Sequence, residues 1–302
     1  MMNRRHLLRT LALAGIGSVL PRPLSARAFG EGALRFMVLG DWGTGGTLQK
    51  QVAAGMAAVA DKARPTAMLS VGDNIYNAGV ESVDDPQWQT KFERVYAAPS
   101  LAVPWWAILG NHDYRGNVRA QIDYHQRNPR WNMPSTYWKT SFTADDAVTK
   151  VDVLGLDTQQ LTNKASGWKD QLAWLEKTMG TSTATWRLVL GHHPIRSYGH
   201  YGDTPLLVRE LRPLLDQGMA DIYFCGHEHD LQVIQHADDS FLCAISGAGG
   251  GTRTTKQGTY SKFAASHGGF MSVEVSARRL DLVVHNTSGS GVYACQRERR
   301  SK

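Results

Sequence analysis

Leu34-Arg35-Phe36-Met37-Val38-Leu39-Gly40-Asp41-Trp42-Gly43 is a short apolar run that ends on glycine and at once presents a carboxylate. The run has the length of a buried strand, and glycine lets the backbone turn sharply where the strand stops. The same order returns four times. Ala67–Val71 leads into Gly72-Asp73-Asn74-Ile75-Tyr76, and Trp105–Leu109 into Gly110-Asn111-His112-Asp113. Arg187–Leu190 leads into Gly191-His192-His193-Pro194, and Asp221–Cys225 into Gly226-His227-Glu228-His229. One Gly-Asp pair alone reads as a turn. Five polar clusters, each behind its own strand, are a constellation, because ligand groups of α/β sheets gather at the carboxyl ends of strands.

Between these strands lie helical patterns. Leu48, Val52 and Val59 share one face, as do Trp168, Leu172, Leu175 and Met179. Thr204-Pro205 starts a helix, Gly218 stops it, and Pro213 kinks it. Val151–Leu156 adds a strand, and Asp157 at its end is a turn or helix-cap residue. In the last third, Phe241–Ser246, Phe270–Val275 and Leu280–His285 read as strands with short connections. Alternating layers make the class α/β, with antiparallel or mixed sheet added in the second half. No composition break divides residues 33–290, which form a single catalytic domain; residues 291–302 read as a basic, disordered tail.

The charge of +6 suggests a nucleic-acid partner, but its source excludes one. Five arginines (Arg4, Arg5, Arg9, Arg22, Arg27) lie in residues 1–28, leaving 28 basic against 27 acidic residues in the remainder. Residues 1–28 are expected to be a twin-arginine signal peptide: Arg4-Arg5, an apolar run from Leu11 to Leu20, and a small-x-small cleavage site at Ala26-Arg27-Ala28. The run is too short for a stable membrane anchor. The expected partner of this segment is the twin-arginine export machinery. The expected product is a monomer, exported to a bacterial periplasm or secreted. Cys225 and Cys243 lie in apolar runs and read as small buried hydrophobes.

The five clusters supply carboxylate, amide oxygen and imidazole, the donors that hard and borderline metals take, and no thiolate. They resemble the motifs of the calcineurin-like metallophosphoesterases and, more narrowly, the purple acid phosphatases of the small tartrate-resistant type. The resemblance extends to Trp131-Asn132-Met133-Pro134-Ser135, Leu211-Arg212-Pro213-Leu214-Leu215 and Ile245-Ser246-Gly247-Ala248-Gly249. It implies a four-layer α/β/β/α sandwich of two mixed sheets flanked by helices. General members of the superfamily carry Asp-x-His at the first cluster; this chain has Gly43 there, and Tyr76 looks like the replacement. A tyrosinate is a hard anionic donor that favours a ferric ion, whose charge-transfer band gives the family its colour.

The resemblance implies an Fe(3+) site of Asp41, Asp73, Tyr76 and His229. A second site of Asp73, Asn111, His192 and His227 would take a divalent metal: Fe, Zn or Mn. Asp73 would bridge the two. The implied reaction is acid phosphatase chemistry, in which a metal-bound hydroxide attacks a phosphate monoester. His112 and His200 are the implied catalytic residues at the leaving group. Asp113 is either the residue that orients His112 or a turn cap, and Glu228 points away from its two ligand neighbours. Trp42, Tyr114, Trp131 and Tyr198 either wall the pocket or pack the loops. The rival readings are a phosphodiesterase or nucleotidase on the same site, and a di-iron redox protein.

Overall fold

The computed structural model describes residues 32–300 and the dipeptide Leu20–Pro21. The expected signal peptide otherwise lies outside the described residues. Strand β1 is Leu20–Pro21, β2 Leu34–Leu39, β3 Ala67–Ser70, β4 Trp105–Ala107 and β5 Trp131–Asn132. Next come β6 Trp138–Thr143, β7 Lys150–Gly155, β8 Trp186–Leu190, β9 Ile222–Cys225 and β10 Leu231–Ile234. The chain closes with β11 Leu242–Ser246, β12 Ser261–Ala265, β13 Gly269–Val275, β14 Arg279–Asn286 and β15 Gly291–Glu298. The longer helices are α1 Thr47–Ala63, α2 Val118–Asp123, α3 Thr158–Thr162, α4 Trp168–Gly180, α5 Pro205–Glu210 and α6 Arg212–Gln217.

The strands make two sheets, ordered β1-β15-β14-β13-β2-β3-β4-β5 and β12-β10-β11-β9-β8-β7-β6. Each is mixed. Strands β2 to β5 run parallel, as do β7, β8, β9 and β11, and antiparallel strands flank both sets. One core lies between the sheets: Phe36, Val38 and Leu69 of the first meet Val153, Leu188 and Phe224 of the second. The outer face of the first sheet packs on α1 through Val52 and Met56, and that of the second on α4 to α6 through Leu175, Leu211 and Leu215. That is the four-layer sandwich. Because both faces of the inner strands are buried, β8 reads as a run of five buried residues without alternation.

Two expectations are refined. The kink at Pro213 is a full break: α5 ends at Glu210, and Pro213 lies in the first turn of α6, where its missing N–H costs nothing. The end of the chain is not a tail. Residues 291–298 form β15, which pairs with β14 from Arg279↔Glu298 to His285↔Gly291. Its alternation was hidden by its one arginine, Arg297, which takes an inward position and is fully buried. Among the described residues no helix is long and apolar enough to cross a membrane, and all three cysteines are buried and unpaired.

Candidate metal centre

The parallel strands of both sheets point their carboxyl ends at one place. β2, β3 and β4 of the first sheet lead to Asp41, Asp73 and Asn111; β8 and β9 of the second lead to His192 and His227. The turns are locked to one another. The N–H of Asp41 donates to the Gly72 carbonyl at 3.0 Å and that of Gly226 to the His192 carbonyl at 3.0 Å. The His227 N–H donates to Asp41 Oδ2 at 2.9 Å, which ties the two sheets together. Glycine is required by space as well as by turning: a Cβ on Gly110 would stand 2.2 Å from Asp73 Oδ1, and Gly72 has φ of +89°. Asp41, Asp73, His227 and His229 themselves adopt positive φ, a strain that bulky residues tolerate only where the surroundings over-determine it.

The donors fall into two groups. In the first, the Tyr76 hydroxyl lies 3.0 Å from Asp41 Oδ1, 2.9 Å from Asp73 Oδ2 and 3.0 Å from His229 Nε2. His229 Nε2 is 3.3 Å from Asp41 Oδ1. A phenol has one proton, so it cannot serve both carboxylate oxygens at once. Burial first, then the charges of Asp41 and Asp73, push the Tyr76 pKa far above its ordinary value. In the second group, Asn111 Oδ1 lies 3.1 Å from His192 Nε2 and 3.0 Å from His227 Nδ1, and His192 Nε2 is 3.5 Å from Asp73 Oδ1. His192 Nδ1 faces the Val71 carbonyl at 3.0 Å, which fixes the tautomer and turns Nε2 to the centre. Burial opposes charge on His192, but Asp73 and Asp41 outweigh it and raise its pKa. Burial and the neighbouring His192 push His227 down to about 2, so its ring is neutral.

This donor set fits two metal ions that share Asp73. Donors bound to one ion at about 2.1 Å in octahedral array stand roughly 3 Å apart, which is the spacing found in both groups. Asp41, Asp73 and His229 alone already meet the geometry of a cation site. Gly43 shows why an imidazole is missing at the first cluster: a Cβ there would lie 1.8 Å from the Asn74 carbonyl oxygen, so the Asn74–Ile75 backbone fills that space.

His112 borders the first group. Its Nε2 is 4.0 Å from Asp73 Oδ2, and its Nδ1 meets the Asn77 carbonyl at 2.6 Å. The Asn77 carbonyl, not Asp113, therefore orients this ring. Asp113 is a buried clamp instead of a turn cap. Its carboxylate accepts from the N–H groups of Gly110 (2.9 Å) and Asn74 (3.1 Å) and from Gln121 Nε2 (2.8 Å), tying the second cluster to the third. Burial, then Asp73, raises its pKa to about 6. Asp157 caps α3 by accepting from the Gln160 N–H at 2.9 Å, and it also accepts from the Tyr114 hydroxyl.

His200 is exposed, and its ring meets Tyr201 with centroids 4.8 Å apart. The residue that reaches the centre is Tyr201, whose ring stacks on His227 at 4.4 Å. Glu228 causes this. As expected it points away from the metal ligands, and its carboxylate accepts from Ser197 Oγ at 2.5 Å and from the N–H groups of Tyr201 and Gly202 at 3.0 and 3.1 Å. The loop is thereby pinned with residue 201 facing inward. Arg253 completes the rim: its Nη1 donates to the His227 carbonyl at 2.9 Å, and its guanidinium lies 5.1 Å from the Tyr201 ring centre. Sequence reading missed both; loop residues without a motif carry no signal. Trp42 and Trp131 are fully buried in the core and line no pocket. Tyr198 is half-buried against the second outer core.

A family model described as calcineurin-like phosphoesterase matches residues 34–231. The chain is 33% identical to human tartrate-resistant acid phosphatase type 5, over 89% of this chain and 92% of that protein. It is 35% identical to purple acid phosphatase 3 of Arabidopsis thaliana, over 86% of this chain and 76% of that protein. Among solved structures it is similar to the anchor GAP50 of the Plasmodium inner membrane complex, with a TM-score of 0.80, 26% identity and 90% of each chain covered.

Proposed function

Since the chain belongs to the calcineurin-like phosphoesterases, and within them to the purple acid phosphatases, we propose that it hydrolyses phosphate monoesters at a dinuclear centre of one ferric and one divalent ion. Asp41, Asp73, Tyr76 and His229 would hold the ferric ion. Asp73, Asn111, His192 and His227 would hold iron, zinc or manganese. The observation that carries this reading is the pair of donor groups meeting at Asp73: Tyr76 has one proton for two carboxylates, and His192 Nε2, whose ring proton is on Nδ1 toward the Val71 carbonyl, faces the Asn111 amide oxygen. The metals, when bound, supply Lewis acidity to the phosphoryl oxygens and make water a nucleophile below neutral pH. The protein does the rest. His112 Nε2 faces the centre while Nδ1 is held by the Asn77 carbonyl, so Nε2 is the atom placed to give a proton to the departing alkoxide. Tyr201 and Arg253 wall the side next to His227, where an apolar face and a fixed positive charge suit an aryl or alkyl monoester dianion.

The fold alone does not carry the activity, since a protein described as a membrane-complex anchor shares it. The test is hydrolysis of a chromogenic phosphate monoester against the matching diester by purified, metal-loaded protein, from acid to neutral pH. Monoester turnover with an acid optimum is the expected result. A strong diester preference would replace the substrate class. No turnover of either ester with both metals bound would overturn the hydrolase in favour of the redox reading. Export is tested separately: periplasmic activity should disappear in the Arg4→Lys/Arg5→Lys chain.

A further inference from the structure

At the far end of the second sheet, three guanidinium groups lie near one carboxylate, that of Asp221. Asp221 immediately precedes β9, and its Oδ2 accepts from the backbone N–H of Arg187, on β8, at 2.8 Å. Arg297 of β15 holds Nε 3.7 Å from Asp221 Oδ1. Arg300 donates through Nη2 to the Ala220 carbonyl at 2.9 Å and to that of Ser240, which also accepts from Arg297. Arg187 Nη2 donates to the Ser182 carbonyl at 2.9 Å. These bonds leave donors over. Arg187 Nε, Arg297 Nε and Arg297 Nη1 are buried with no hydrogen-bond partner, in residues that are 7% and 0% exposed.

Among the described residues, the other carboxylates beside these groups are already engaged: Asp152, next to Arg187 across the sheet, is held by Lys139 at 2.9 Å. Asp216 is engaged by Arg212 Nη1 at 2.9 Å and by the Ser240 N–H at 2.8 Å. Burial, then Arg300, brings the Arg297 pKa down to about 10, so the group is still charged at neutral pH. Water could satisfy the spare N–H groups, but it could not neutralise a surplus of positive charge. An anion beside Arg187 would supply both a negative charge and an acceptor for its spare Nε–H, and guanidinium forks match tetrahedral oxyanions in shape. A cleft opens beside the cluster, lined by Arg187, Asp221, Arg299 and Arg300 together with Thr185 and Met219. It lies at the start of β8 and β9, whereas the metal centre follows their ends. Arg187 and His192 are five residue steps apart, roughly 16 Å of extended chain.

We propose that this cleft is a second oxyanion site, which binds a small tetrahedral dianion of the inorganic phosphate type away from the metal centre. It does not rest on the phosphatase reading, because turnover and this binding event can fail separately. The experiment is equilibrium dialysis of the metal-loaded full chain against labelled inorganic phosphate, with sulfate as competitor. The wild type should bind one more phosphate per chain than Arg299→Gln/Arg300→Gln, with monoester turnover equal in the two. Arg300→Gln alone should weaken the extra site about tenfold, the worth of one charge-assisted bond. Asp221→Asn removes the only shared negative charge and keeps an acceptor for the Arg187 N–H. It should tighten phosphate binding severalfold, a gain that misfolding cannot imitate. Equal phosphate counts in wild type and double variant, or weaker binding in Asp221→Asn, would overturn the proposal.

Discussion

Tyr76 has one proton and two carboxylates to give it to, so its hydroxyl is the residue-scale test of the metal assignment. Tyr76→Phe should abolish the visible absorption band of the loaded protein while leaving the fold intact, as read by far-UV circular dichroism. A band that survives would remove Tyr76 from the ligand set. Asp113 is decisive for a different reason. Asp113→Ala would orphan buried donors on Gly110, Asn74 and Gln121. At about 1–3 kcal/mol per orphaned donor, the loss should be at least about 3 kcal/mol in denaturant unfolding, and metal affinity should fall with it. The proposed ligands were legible as candidates in the sequence because each follows a glycine at a strand end, a signal carried within five residues. Asp113 follows the same rule, yet its role was not legible, since its partners Asn74 and Gln121 come from elsewhere in the chain. The inward residue of the 199–202 loop was misplaced by one position, His200 for Tyr201, because Glu228 decides which one faces the centre and nothing local does.

At the scale of elements, the loop held by Glu228 and the strand β14 each make a measurable claim. Glu228→Gln keeps the size but weakens three accepted hydrogen bonds, so Tyr201 should lose its fixed stack on His227. The expected outcome is a severalfold rise in KM for aryl monoesters with unchanged metal content; an unchanged KM would detach the loop from substrate binding. On β14, His285 stacks on Phe270 at 4.8 Å, contacts Ser272 Oγ at 2.8 Å through Nε2, and meets the Gly289 carbonyl at 3.0 Å through Nδ1. Burial, only partly offset by the Gly289 carbonyl, lowers its pKa to about 4 from the usual 6.5. The fold therefore favours the neutral ring. Its contribution to stability is complete above about pH 6.5 and is lost as pH falls through that value toward 4, by an amount on the order of 3 kcal/mol. Urea unfolding at pH 7 and pH 4.5 should show this slope in the wild type and a shallower one in His285→Gln. Strands such as β8 and β9 were legible because continuous apolar runs mark doubly buried sheet. β15 was not, because its second half reads Gln296-Arg297-Glu298, and the buried position there is an arginine instead of an apolar residue.

For the whole molecule, the metal centre is the seam where the two sheets are joined by Asp41 and His227. Chelation should therefore lower the unfolding midpoint by several degrees, and readdition of metal should restore it, because ions that bind only the native state stabilise it by mass action. Calorimetry of the stripped and reloaded protein checks this; identical midpoints would mean the seam holds without ions. The order of the first sheet has a further consequence. β2, near the start of the chain, lies between β3 and β13, and its partner residues Val38 and Met271 stand at opposite ends of the sequence. Gly40 also donates to the carbonyl of Ser246. During synthesis at roughly 5–20 residues per second, one edge of β2 stays bare for roughly 10–50 s. A chain still growing on the ribosome thus has its first ligand, Asp41, long before it has the strand that steadies it, and metal loading must wait until translation is nearly over.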